Sequence, residues 1–305
     1  MAEITAKAVA ELRAKTGCGM MDCKKALKES DGDFDAAIKY LREKGIAVAA
    51  KKADRIAAEG LVDILREGNS AAMIEVNCET DFVAKNASFQ EFVKDILKTI
   101  LANRPADLEA LKACTLVGTE ETVEAALKEK IYTIGENLNI RRFVIVDGDM
   151  STYIHGKGQT GIIVTFDTDV AGTDGFAECA KNVALQAAAM NAIYTNIEDV
   201  PASVINEEKE ILMTQIKNDP NNSKKPEAII EKMVTGRIKK YYETNCLAEQ
   251  AYVKDDSVSV QKYCDSVAKE LGGFIKVKAF YRFEKGEGLQ KKEENFAAEI
   301  ASMIK

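Results

Sequence analysis

Residues 61–77 read "LVDILREGNSAAMIEVN", and in this stretch the hydrophobic period changes from that of a helix to that of a strand. Two apolar runs flank the segment "EGNS", whose glycine and asparagine favour a turn. The pattern predicts a β-hairpin followed by a helix from about residue 86 to 102. Apolar residues at helical spacing run along that helix: Phe89, Phe92, Val93, Ile96, Leu97, Ile100 and Leu101. Such a unit of two strands and a helix indicates an α+β fold.

A second unit of the same kind follows a predicted strand at 141–147. Residues 151–169, "STYIHGKGQTGIIVTFDTD", lead into the helical segment 174–190. The second hairpin aligns with the first when Gly158 is placed on Gly68. The sequence therefore predicts a duplicated α+β core with antiparallel sheets.

The first 45 residues predict three short helices that form a bundle. Asp33 is the expected N-cap of the third helix, and Gly17 and Gly45 are the expected C-terminal stops. The alanine-rich run at 47–60 is expected to form a helical linker to the core.

Residues 201–247 interrupt the second unit with two amphipathic segments separated by "NDPNNSKKP", which predicts an antiparallel helical hairpin. A strand at 273–283 and a helix at 290–304 are expected to follow. The strand's alternate residues are expected on one face: Ile275, Val277, Ala279, Tyr281 and Phe283.

These elements divide the chain into four parts. They are an N-terminal bundle with its linker (1–55), a first core subdomain (56–140), a second core subdomain (141–283) and a C-terminal helical module (284–305). The second core subdomain carries the hairpin insertion at 201–247.

Composition narrows the class of protein. A formal charge of −7 argues against direct binding of nucleic acid. Seven scattered cysteines favour a reducing compartment over a disulfide scaffold. No signal peptide is recognised at the start, and no run approaches the roughly 18 apolar residues of a membrane span, so we expect a cytoplasmic protein without membrane attachment.

No motif for covalent chemistry stands out. The glycines of "HGKGQTGII" have P-loop spacing, but isoleucines follow where lysine and a hydroxyl are needed. The single histidine, His155, and the absence of a second cysteine pair disfavour a zinc site. No serine or cysteine lies in a nucleophile elbow. We therefore predict no catalytic residue, no metal and no cofactor, and His155 is expected to be a polar residue at a strand end.

The junction "ETDFVAKN" at 79–86 allows two interpretations. In one, Thr80 caps a helix that begins at Asp81, and Phe82 extends the buried stripe of Phe89. In the other, a capping box of Ser88 and Glu91 starts the helix later, and Phe82 projects from a loop. The residues alone leave both open.

Seven stretches in order along residues 1–305 resemble the translation elongation factor Ts family. They are "ELRAKTGCGMMDCKKAL" (11–27), "AAEG" (57–60), "EVNCETDFVAKN" (75–86), "IGENLNIRR" (134–142), "YIHG" (153–156), "KPEAIIEKMVTGRIKKY" (225–241) and "YRFEKGEG" (281–288). The resemblance implies a guanine-nucleotide exchange factor for GDP-bound elongation factor Tu, with no covalent chemistry of its own. It also implies a ubiquitin-associated-like bundle, a coiled-coil hairpin and a heterodimer or higher assembly with Tu.

The resemblance further implies which residues contact the partner. The segment of Thr80, Asp81, Phe82 and Val83 would enter the GTPase domain, where Asp81 disturbs the magnesium shell and Phe82 fills an apolar pocket. His155 would approach the phosphate-binding loop.

The N-terminal helices would dock on the same GTPase domain around Leu12, Met20 and Met21.

Two other classes of function stay open on the residues alone. An enzyme could use His155 and nearby acids, and turnover of a small substrate without Tu would favour it. A chaperone-like or structural binding protein could rely on the helical hairpin, which would then act when residues 201–247 are supplied alone.

Overall fold

The computed structural model describes residues 4–220, 222 and 225–290, and it has a mixed α+β fold with small antiparallel sheets. The expected terminal helix at 290–304, in the module at 284–305, lies beyond residue 290 and so outside the described residues. No helix within the described part of the chain is long and apolar enough to cross a membrane.

Three helices form the N-terminal part: α1 (Ala6–Thr16), α2 (Met20–Glu29) and α3 (Phe34–Lys52). Two of the three expected signals at their ends are confirmed. Gly17 ends α1 with a φ of +66°, and the Asp33 side chain accepts hydrogen bonds at the start of α3. The three helices share a small core that includes Val9, Leu12, Leu27 and Leu41.

Gly45 does not end the third helix as the sequence predicts. It lies buried within α3, which continues through the expected linker to Lys52. A Cβ on Gly45 would lie 3.4 Å from the Cβ of Tyr132. The glycine therefore serves a close approach between α3 and a later helix, not a chain reversal.

The first core unit contains a three-stranded antiparallel sheet in the order β1–β2–β3 and four helices. Its elements are β1 (Glu59–Glu67), β2 (Ser70–Cys78), α4 (Asp81–Ala84), α5 (Ala87–Asn103), α6 (Leu108–Ala113), α7 (Val123–Ile134) and β3 (Asn139–Asp147). Helix α5 packs on β1 and β2 through the predicted apolar stripe, with Phe89 and Ile96 fully buried.

The strand at 141–147 belongs to this first sheet, although the sequence division places it at the start of the second core subdomain. It forms most of β3, which pairs with β2 from Ser70 opposite Asp147 to Asn77 opposite Asn139. Its apolar residues divide between two clusters, since Phe143 and Ile145 pack against the first core and Val144 and Val146 pack in a second cluster.

The second core unit repeats the order of two strands and a helix, and it contains the insertion. A sheet in the order β4–β5–β8 is again antiparallel. The elements are β4 (Asp149–His155), β5 (Thr160–Thr168), α8 (Asp174–Ala189), α9 (Ala202–Asn218), α10 (Glu227–Asn245), β6 (Ala251–Tyr252), β7 (Asp255–Ser259), α11 (Val260–Leu271) and β8 (Ile275–Glu284).

Helices α9 and α10 pack together through their own apolar cluster, which includes Leu212, Ile216 and Val234. Two isoleucines of these helices, Ile211 and Ile229, are exposed.

The alternate residues of β8 do not all share one face. The register against β5 shifts so that Lys278 is an extra residue between Val277 and Ala279. Ile275 and Val277 pack in the core of the second unit, whereas Tyr281 and Phe283 pack in a different cluster. A β-bulge of one residue reverses the alternation and explains the difference.

The two sheets pack against each other through a shared apolar cluster. It contains Val62 and Met73 from the first sheet and Met150 and Ile163 from the second. A hydrogen bond of 2.8 Å from Val62 N to Gly158 O joins them directly. The relative position of the two hairpins is therefore fixed by packing.

Candidate functional site

The segment from Thr80 to Lys85 forms a single helical turn at the end of β2. Helix α4 begins at Asp81, and Thr80 Oγ1 accepts a hydrogen bond of 3.4 Å from Val83 N. A separate helix, α5, begins at Ala87 with Asn86 as its N-cap. The expected Ser88 capping box is wrong, because Asn86 Oδ1 accepts from Ser88 N at 2.8 Å and leaves Ser88 inside the helix.

Phe82 projects into solvent, with 81% of its surface exposed. Val83 and Ala84 on the same turn pack against the first core. The structure thus combines the two sequence interpretations, since Thr80 does cap a helix at Asp81 but Phe82 does not join the buried stripe. The break at Lys85 and Asn86 separates the turn from α5, so the helical spacing between Phe82 and Phe89 has no meaning here.

The carboxylates of Glu136 and Glu79 connect this turn to the segment between α7 and β3. Glu136 Oε2 accepts hydrogen bonds from Glu79 N at 3.1 Å and Thr80 N at 3.0 Å, and Glu136 Oε1 accepts from Thr80 Oγ1 at 2.6 Å. In return, a Glu79 carboxylate oxygen accepts from Asn137 N at 2.6 Å. Thr80 is therefore held by its backbone and its side chain at once.

Asp81 lies beside Lys85 on the outer face of the turn. The two side chains form an ion pair with 2.5 Å between Asp81 Oδ2 and Lys85 Nζ. The hydrogen bond from Lys85 holds the pKa of Asp81 below its usual range. Asp81 is a carboxylate at neutral pH, and it is available to a partner.

His155 is the last residue of β4, and its side chain is exposed. Its Nδ1 atom lies 3.1 Å from Tyr153 Oη. Within the described residues, Tyr153 is the side chain that forms a hydrogen bond with the His155 ring. The expectation of a polar residue at a strand end is confirmed.

The structure connects the His155 hairpin to the edge from which α4 projects. Lys285 N donates a hydrogen bond of 2.9 Å to the carbonyl of Gln159, in the turn after His155. The Lys285 ammonium also forms an ion pair with Glu59, which lies opposite Cys78 in the β1–β2 register. Because Cys78 comes two residues before Thr80, one lysine links both candidate segments.

The three N-terminal residues differ in what they offer to a partner. Met20 and Met21 at the start of α2 are 57% and 76% exposed, whereas Leu12 is fully buried. Leu12 occupies the inner face of α1 and packs against α2 and α3. The prediction of Leu12 as a contact residue is therefore corrected to a role in the bundle core.

Sequence reasoning missed the residues that hold the site. Glu79, Glu136 and Asn137 occur within quoted family-like stretches, yet nothing in their local pattern shows that they meet. The available signal was a pair of polar residues, Glu136 and Asn137, directly before an apolar strand. Asn137 is nearly buried and needs partners, which is the usual sign of a structural contact.

Groups of histidine, cysteine and acidic residues suited to a metal ion are absent from the described parts of the chain. All seven cysteines are free thiols, and six of them are buried. Burial raises the pKa of the Cys78 thiol to about 12, so this cysteine next to the site is an unreactive thiol.

An exposed aromatic ring on a firmly held turn, beside a carboxylate, is typical of a surface that binds another protein. Comparison with known proteins gives the family. A family model described as Elongation factor TS matches residues 79–287.

Curated relatives carry the same description over nearly the whole chain. Elongation factor Ts of Syntrophotalea carbinolica is 49% identical, over 99% of this chain and 100% of the relative. That of Symbiobacterium thermophilum is 48% identical over 98% of both chains, and that of Clostridium kluyveri is 46% identical over 99% of both. The chain belongs to the elongation factor Ts family, and its role is that of a translation elongation factor.

Proposed function

We propose that this protein is a guanine-nucleotide exchange factor that binds GDP-bound elongation factor Tu and promotes release of GDP. The exposure of Phe82 on the turn at Thr80–Val83 carries the proposal. An apolar ring this exposed is costly in water and gains free energy when a partner buries it. The segment is also the one that the family resemblance assigns to the partner's magnesium site.

The proposed mechanism needs no covalent step. Magnesium favours oxygen ligands such as carboxylates and nucleotide phosphates, and in GDP-bound Tu it would help to retain the nucleotide. Asp81 would disturb the magnesium shell while Phe82 fills an apolar pocket of the GTPase domain. Because binding is reciprocal, a factor that weakens the hold on GDP must itself be weakened by GDP to the same extent.

One ring cannot supply the whole effect. Burial of a phenylalanine contributes about 1.5 to 3 kcal/mol, which changes an equilibrium by roughly tenfold to a hundredfold. We therefore assign further contacts to His155 near the phosphate-binding loop and to Met20 and Met21 on the GTPase domain. The link through Lys285 supports a joint action of the two core segments.

The family resemblance also implies a finer architecture, which we propose for this chain. We infer that α1–α3 form a ubiquitin-associated-like bundle, that the two core units arose by duplication, and that α9 and α10 form a coiled-coil insertion. The repeated order of two strands and a helix supports the duplication. The assembly with Tu would be a heterodimer or a larger complex built from it.

Release of a fluorescent GDP from purified Tu tests the function directly. We expect GDP release to be faster with this protein than without it. The Phe82→Ala and Asp81→Ala variants should each give slower release than the wild type, and their far-UV circular dichroism should be unchanged. Phe274→Ala is the matched control, because Phe274 is another exposed phenylalanine, 52% accessible, outside the proposed contacts. Release that is no faster at saturating protein would falsify the exchange function.

A further inference from the structure

We propose that Glu136 is a positioning residue, which holds the turn at Thr80–Val83 in its binding conformation before the partner arrives. The inference rests on the proposed function for its consequence, but the geometry that carries it belongs to the free protein. Glu136 does not lie on the turn itself, and it is 56 residues from Thr80 in the chain.

A single carboxylate here takes three donors from two adjacent residues. Glu136 Oε2 accepts both backbone amides, of Glu79 and Thr80, and Oε1 accepts the Thr80 hydroxyl at 2.6 Å. These bonds to an ionised acceptor are stronger than neutral ones. They fix the backbone directly before Asp81 and Phe82.

The turn needs such support because little else orders it. Helix α4 has only four residues, and helices this short are unstable on their own. The Phe82 ring is exposed and has no packing of its own to orient it. Its direction is set by Thr80 on one side and by the buried contacts of Val83 and Ala84 on the other.

The segment that carries Glu136 is itself well anchored. Asn137 N donates to Glu79, and Asn137 Nδ2 donates to the carbonyls of Ala53 at 3.2 Å and Arg55 at 2.8 Å. We call the three hydrogen bonds that Glu136 accepts from Glu79 and Thr80 the clamp. Through Asn137, the clamp connects the turn to the segment after α3. Because the segment of Glu136 is held in place by Asn137, the clamp can fix the conformation of the turn.

Ordering the turn in advance lowers the cost of binding. When a partner requires one conformation, its apparent affinity equals the intrinsic affinity multiplied by the fraction of molecules that already have that conformation. Loss of the clamp should therefore raise the protein concentration needed for half-maximal GDP release. The release rate at saturation should change little, because Asp81 and Phe82 are still present.

Glu136→Gln tests this with little change in shape, because the two side chains are nearly the same size. The amide group replaces one acceptor oxygen with a donor nitrogen. In the free protein, we expect the amide hydrogens of residues 80–84 to exchange about tenfold faster, as expected for loss of a charge-assisted hydrogen bond. In the release assay, the half-saturating concentration should rise about tenfold. Glu124→Gln is the matched control on α7, since Glu124 forms a surface ion pair with Lys128 at 2.6 Å.

A double variant separates positioning from a general structural role. Glu136→Gln combined with Phe82→Ala should weaken binding by less than the product of the two single effects, because Glu136 acts through the ring. Independent effects would overturn the inference, and so would unchanged hydrogen exchange at 80–84. If Glu136→Gln fails to fold, Glu136→Asp is the second variant. Its shorter side chain keeps the negative charge but moves it away from the three donors, and we expect the same results.

The two proposals fail in different ways. A wild-type protein that does not speed GDP release overturns the proposed function while the hydrogen-exchange result still decides whether Glu136 holds the turn. Normal exchange activity with no change at residues 80–84 overturns the clamp alone.

Discussion

Phe82 and Phe89 stand seven residues apart and have opposite environments. Phe82 is 81% exposed and Phe89 is completely buried. A spacing of seven places two residues on one face only when the helix between them is continuous. Here Lys85 is the C-cap of α4 and Asn86 is the N-cap of α5, so the two rings belong to different helices.

This contrast predicts different costs for the same substitution. Phe82→Ala should change the free energy of unfolding by less than about 0.5 kcal/mol, because it removes no packing. Phe89→Ala should cost about 3 to 5 kcal/mol through lost burial and the cavity left behind. Urea denaturation of both variants measures this. A large loss for Phe82→Ala would show that its ring is packed in solution.

Local pattern predicted two helix-end residues correctly and failed at Gly45 and Ser88, and it could not predict residues whose role depends on distant contacts. Gly17 and Asp33 were assigned correctly because a helix end is determined within a few residues. Glu136 was missed because its three donors come from a segment 56 or 57 residues earlier. Leu12 was assigned to a surface although its periodic spacing with Val9 already indicated the bundle core.

At the scale of elements, the order of strands and helices followed from hydrophobic period, but strand alignment did not. The faces of β8 depend on the bulge at Lys278, which exists only relative to β5. The strand β3 joins the first sheet because β2 offers it a free edge. Neither fact is contained in the strand's own pattern of residues.

The turn after β8 offers a test with a built-in control. Gly286 and Gly288 both have a positive φ, of 70° and 72°. A Cβ on Gly286 would lie 2.4 Å from the carbonyl oxygen of Ala58, whereas a Cβ on Gly288 would meet nothing within 4 Å. The two sites therefore differ in steric contact and share the same backbone requirement.

Gly288→Ala should cost about 1 to 2 kcal/mol for the left-handed backbone alone. Gly286→Ala should cost at least about 1 kcal/mol more, because the turn must move away from β1. Thermal or urea unfolding of the two variants measures the difference. Equal losses would mean that the turn does not contact Ala58 closely.

At the scale of the whole molecule, Glu75 joins the two sheets. This fully buried carboxylate accepts hydrogen bonds from Arg141 at 2.9 Å, Arg142 at 2.7 Å and Gly286 N at 2.8 Å. Burial alone would raise the pKa of Glu75, but the bonds from Gly286, Asn77 and the two arginines outweigh it and hold the pKa below its usual range.

The direction of that shift predicts a pH dependence. A carboxyl group with a depressed pKa in the folded state stabilises the fold above its unfolded pKa, about 4.3, and loses this contribution as the pH falls through the folded value. Glu75→Gln should therefore be less stable than the wild type at pH 6 to 8 by a constant amount, with the gap narrowing below about pH 4.3. Urea denaturation across this range measures the gap, and a gap that does not narrow contradicts the assignment.

The contact between Glu75 and Gly286 also constrains how the protein can be made. Its partners lie 211 residues apart in the chain. Since ribosomes synthesise a chain from its N-terminus, the first sheet emerges before Gly286 can bind Glu75. The first unit must therefore persist during synthesis without this contact, which can form only after the turn beyond β8 has left the ribosome.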